Sequence, residues 1–131
     1  MLNQLVAARM DAALEHAGQD LDTDIQAIIN DCAARGFSEL QGPAVGRIID
    51  ACSRAMGETR DAALAVIREQ SVQASVEQRT QFAQVLLMDL ERRLTGLAKT
   101  PTGYVDTLRG ATPPELAAQV APLLAQVRMV M

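Results

Sequence analysis

Phe82-Ala83-Gln84-Val85-Leu86-Leu87-Met88-Asp89-Leu90 is the most apolar stretch of this chain, and its spacing decides the fold. Phe82, Leu86 and Leu90, continued by Leu94 and Leu97, recur every three to four residues. That is the period of one helix face, not the alternation of a strand. Ala83, Val85 and Leu87 flank the stripe. Glu77, Gln81, Gln84, Glu91 and Thr95 form a polar face, with Met88 in its middle. Asp89 and Arg93 stand at i, i+4, a pairing worth roughly a few tenths of a kcal/mol on an exposed helix. Upstream, Ser75-Val76-Glu77-Gln78 reads as a capping box. The helix is therefore predicted over 75–98, as the centre of a helical bundle.

The same period extends in both directions. Leu64, Val66 and Ile67 mark a helix over 59–73. Ser71 to Ser75 contains neither Gly nor Pro, so one long helix over 59–98 is the alternative. A thinning apolar stripe and two serines, whose hydroxyls compete for backbone hydrogen bonds, favour a break. Before it, Gly42-Pro43 opens a helix with Pro43 at the first helical position. Val45, Ile48, Ile49, Cys52, Ala55 and Met56 make its stripe, and Gly57 is expected to end it. Ile25, Ile28, Ile29 and Cys32 form the face of the preceding helix. Asp22 or Thr23 is its expected cap, Gly36 its C-terminal glycine, and Phe37 the residue that packs back. Ile28-Ile29-Asn30-Asp31-Cys32 matches Ile48-Ile49-Asp50-Ala51-Cys52. The match points to a helical hairpin of similar units, too short for a solenoid. The first helix is expected over 2–17, with Leu2, Val6, Met10, Ala13, Leu14 and Ala17 inward and Gly18 as its stop.

Beyond Leu97, residues 100–114 are rich in Gly, Pro and Thr and read as irregular, with Tyr104, Val105 and Leu108 able to form one amphipathic turn. Thr112-Pro113-Pro114-Glu115 reads as a second capping box. Leu116, Val120, Leu123, Leu124 and Val127 line the last helix. Pro122 within it is expected to kink or split it. The whole, 1–131, reads as a single all-α domain, a bundle of about five to six short helices.

Composition bounds the function. Of 131 residues, 49% are hydrophobic but only 2% aromatic, and the net charge is −4. Much of the apolar share is alanine, which lets helices approach closely. No apolar run is long enough for a membrane span. The first residues lack the basic and apolar regions of a signal peptide, so a cytoplasmic protein is expected. Eleven arginines stand against the single Lys99, a usage that points to a bacterial or phage coding bias. Phosphate binding needs clustered positive charge, which the mild acidity disfavours. Cys32 and Cys52 sit at apolar helix positions and read as buried reduced thiols.

No chemical constellation stands out. Asp20, Asp22 and Asp24 have the opening spacing of a calcium loop, but Ile25 takes the place of its glycine and Asp31 that of its glutamate. They read better as helix-capping carboxylates. His16, the only histidine, lies near the expected end of the first helix, without the Cys or Glu array of a metal site. Gly42 and Gly46 form no phosphate loop. No catalytic residue, metal ligand or cofactor is assigned. The helix pair over 25–57 resembles a helix-turn-helix in outline, offering Arg47, Asp50 and Arg54. Its connection is long, and Arg35, Arg47 and Arg54 balance Asp31, Glu39 and Asp50 to zero net charge.

The favoured expectation is a non-enzymatic protein-interaction module: an adaptor, a chaperone-like protein or an inhibitor. Its partner is another protein or a second copy of itself. Met88 on its polar face and the apolar ending Val127, Met129, Val130 and Met131 are the candidate contact residues, because Met adapts to varied surfaces. The alternatives are a DNA-binding regulator through 25–57 and a small enzyme whose site is not recognised.

Overall fold

The computed structural model describes residues 1–36, 42–70, 75–105 and 108–131. The fold is an all-α bundle. Among the described residues five α-helices follow in order: α1 (Leu2–Ala13), α2 (Glu15–Ala34), α3 (Pro43–Gln70), α4 (Val76–Lys99) and α5 (Pro114–Arg128). A 3₁₀ turn, Thr100–Gly103, follows α4 directly. One buried apolar cluster draws on every helix: Val6 and Met10, Ile25, Ile48 and Met56, Leu86 with Leu90 and Leu94, and Leu116 with Val127. α3 touches all four other helices, whereas α4 touches α1, α3 and α5. The expected central helix thus shares the centre with α3.

The first departure from expectation lies at Gly18. It does not stop a helix but sits inside α2. The break comes earlier, at Leu14, whose φ of −104° and ψ of 7° leave the helical region for one residue. Its amide still donates to the Met10 carbonyl at 3.0 Å, and its carbonyl accepts from Gly18 at 3.1 Å. A helix-stopping glycine needs positive φ, which Gly36 has at +86° and Gly18 lacks. A helical Gly costs about 1 kcal/mol. Burying Leu21 and Ile25 on α3 at about 1.5–3 kcal/mol each outweighs it. The chain bends at Leu14 because α1 lies on α4 and α3, while α2 lies mainly on α3.

Gly57 repeats the lesson. It lies inside α3, which carries Met56, Thr59, Ala62, Ala63 and Val66 past it as one buried stripe. The two helices expected over 43–56 and 59–73 are therefore one. The continuous helix over 59–98 is also corrected. Ser75 is extended, at φ −64° and ψ 163°, and caps α4 through the expected box with Gln78. The Ser75 amide donates to Gln78 Oε1 at 3.1 Å, and the Gln78 amide donates to Ser75 Oγ at 3.2 Å. The segment 71–74, the packing of Phe37 and the 37–41 connection lie outside the described residues.

The second expected capping box does not form. Pro113, not Thr112, is the N-cap of α5, with φ −55° and ψ 129° and no side-chain cap. A residue preceding proline is pushed out of the helical region by the ring, so Pro114 forces Pro113 to be extended and Thr112 falls one position too early. α5 continues through Pro122 rather than splitting there. The Ala118 carbonyl that loses its donor belongs to an exposed residue, where water can serve it. Within the irregular stretch Val105 is buried and Tyr104 is partly exposed. The repeat is real in packing terms: Ile28 and Cys32 on α2 and Ile48 and Cys52 on α3 are all buried, and the two helices pack together.

Candidate functional site: an apolar groove beside the chain end

The predicted contact residues separate in the structure. Val127 is fully buried in the core, so it is corrected from a surface position to a structural one. The last turn of α5 turns Val127 inward, on the same stripe as Leu116, Leu123 and Leu124. Met88 is 72% exposed and Met129 86% exposed, with Val130 and Met131 less so. Met88 does occupy the exposed polar face of α4 beside Gln81, Gln84 and Glu91.

Val130 and Met131 turn towards the N-terminal half of α4. Together with Ile67 and Gln70 at the end of α3 they bound a groove of about 520 Å³. Its floor is α4, along Val76, Ala83 and Leu87, with Phe82 at the core side. Val76, in the first turn of α4, is 71% exposed. Arg79, Thr80 and Gln84 supply polar groups. Met88 follows Gln84 by one helical turn and does not line the groove. Sequence reading found the tail and Met88 but missed Val76, Ala83 and Leu87. Their i, i+7, i+11 spacing is visible along α4, yet only the packing shows that Val76 is left exposed and Ala83 and Leu87 are only half-buried.

The charged groups found by sequence serve the fold. Arg93 Nε donates to Asp89 Oδ2 at 2.6 Å, and Arg92 donates to Asp89 Oδ1 at 2.7 Å. Arg93 also donates to Asp11 Oδ1 at 2.8 Å and to the Ala7 carbonyl at 3.3 Å, tying α4 to α1. Burial acts against the charged form of Arg93, but the bonds to Asp89 and Asp11 outweigh it and raise its pKa. Arg47 pairs with Asp31 at 3.2 Å and Arg54 with Asp24 at 3.6 Å. Two of the three side chains offered for DNA recognition are thus turned to α2.

Asp20, Asp22 and Asp24 lie within α2 rather than on a loop. They cap no helix: Asp20 and Asp24, at i, i+4, share one helix face, and Asp22 points away from both. Among the described residues, no group of three or more His, Cys, Asp or Glu side chains is placed to hold a metal ion. His16 is exposed in the first turn of α2, not at a helix C-terminus as expected. Cys32 and Cys52 are buried thiols, not a disulfide. Burial pushes the Cys52 thiol up to about 11, away from the reactive thiolate.

Comparison with known proteins returns no matching family model, curated protein or solved structure. No helix among the described residues is long and apolar enough to cross a membrane.

Proposed function

We propose that this chain is a protein-interaction module that receives an apolar helix of a partner in the groove between the end of α3, the first half of α4 and the tail. The carrying observation is the clustering of exposed apolar side chains there. Val76, Val130 and Met131 line the groove, and the exposed Met129 precedes them in the tail. Scattered apolar residues need no explanation, whereas a contiguous patch with a polar rim is the usual form of a contact site. Helix-in-groove recognition requires an apolar trough flanked by polar groups, and Gln70, Thr80 and Gln84 supply the flanks. The arrangement calls for no bond-making step, and the reading is non-enzymatic. An adaptor, chaperone-like protein or inhibitor would each use such a surface.

Site-specific photo-crosslinking in the producing cells tests the reading. A photoreactive side chain at Val130 or Leu87 is expected to yield a discrete adduct. The same group at Asp22, exposed on α2, is expected to yield none. No adduct at either groove position, or equal adducts at all three, would overturn the proposal.

A further inference from the structure

The groove carries information about its occupant, and this inference rests on the interaction reading above. Val76, Ala83 and Leu87 follow one stripe of α4. At about 1.5 Å rise per residue the stripe is roughly 16 Å long, the length of about three turns of a second helix lying alongside.

Among the described lining residues, Arg79 alone carries a charged side chain. Arg35 and Arg47 share Asp31, Arg54 pairs with Asp24, Arg60 with Asp61, and Arg92 and Arg93 with Asp89. Arg79 lines the groove, and its guanidinium makes no hydrogen bond or ion pair among the described residues. Arg9 reaches the groove edge from α1 and donates to Gln70 Oε1 at 3.0 Å, a neutral acceptor that leaves its charge uncompensated. Two arginines without a carboxylate thus stand at one groove in a chain of net charge −4. A guanidinium beside an apolar wall favours an occupant that presents a carboxylate next to its apolar anchors, because the pair gains strength as water is excluded.

We infer that the groove accepts an amphipathic helix of about three turns bearing an Asp or Glu beside its i, i+3/i+4, i+7 apolar anchors, and that Arg79 reads the carboxylate. Arg9 adds a second, more distant positive charge.

A display library of helical peptides of about fourteen residues, selected on the intact chain, tests this. Ala83→Arg, which fills the groove floor from a half-exposed position, is the counter-selection. Groove-dependent binders are expected to carry an acidic residue flanking the apolar stripe. For one such peptide, Arg79→Gln and the peptide's own Glu→Gln are each expected to weaken binding about tenfold, and the double change to weaken it little further. Groove-dependent binders indifferent to Arg79 and to peptide charge would overturn this inference alone. A selection with no groove-dependent binder would overturn the interaction reading with it. Laurate is the competing probe. Saturable laurate binding lost in Arg79→Gln, with no peptide binding, would replace the helix by a small amphipathic anion and overturn the inference.

Discussion

Asp89 shows how burial changes what a residue pair is worth. As an i, i+4 partner of Arg93 it reads as an exposed helix pair, worth a few tenths of a kcal/mol. In the structure its side chain is only 7% exposed and both carboxylate oxygens are bonded, to Arg92 and Arg93. Removing the carboxylate leaves the half-buried Arg93 guanidinium short of its nearest partner. Asp89→Ala is expected to lower unfolding free energy by about 2–4 kcal/mol in urea titration. Asp11→Ala, from an exposed carboxylate on the same guanidinium, is expected to cost less than about 1 kcal/mol. Equal effects would show that burial does not set the difference. Cys52 makes a second prediction through its proton. Its folded pKa is raised from 9.0 to about 11 by burial. Below pH 9 both states hold the proton and stability is at its full value. From pH 9 to 11 the unfolded chain ionises first, so stability falls by on the order of 2 kcal/mol. Cys52→Ala is expected to lack this decline in denaturant titrations across that range, whatever its absolute stability.

At the level of elements, glycine separates what was legible from what was not. Gly18, Gly36 and Gly57 each follow an apolar stripe, and all three read as helix stops. Only Gly36 is one, with φ +86°. Gly18 and Gly57 are helical, and the decision lies in long-range packing: α3 buries Leu21 and Ile25 beyond Gly18, and the stripe from Met56 to Val66 runs on beyond Gly57. No local pattern contains that information. Where the determinant is local, sequence reading succeeds, as with the Ser75–Gln78 box and Pro43 at the start of α3. It fails at Thr112 because the Pro113–Pro114 constraint moves the cap by one residue. The glycines give a signed prediction. A Cβ at Gly18 meets nothing within 4 Å, so Gly18→Ala is expected to raise stability by about 0.5–1 kcal/mol. Gly36→Ala is expected to lower it by about 1–2 kcal/mol, since φ is positive there. Thermal melts of the two variants with opposite signs would bear this out, and a loss at Gly18 would contradict it.

For the whole molecule, the last turn of α5 divides the buried core from an exposed tail. The candidate site was half legible: an apolar ending after the last helix is visible in Met129, Val130 and Met131. The side of the bundle they face was not, because it depends on how α3, α4 and α5 pack. Val127 belongs to the core beside Leu116, while the three residues after Arg128 are exposed. Folding and partner contact should therefore separate at Arg128. Removing Met129–Met131 is expected to change unfolding free energy by less than about 1 kcal/mol, since it takes little buried area with it. Val127→Ala, with the tail intact, is expected to cost about 1.5–3 kcal/mol through lost burial and the cavity left behind. Crosslinking from Leu87 should respond in the opposite order. It should fall when the tail is removed, because one wall of the groove goes with it. It should persist in Val127→Ala at temperatures where that variant is folded. A tail deletion that unfolds the chain would place the tail in the core. A stable tail deletion with undiminished crosslinking would remove Val130 and Met131 from the site and leave α4 alone to carry it.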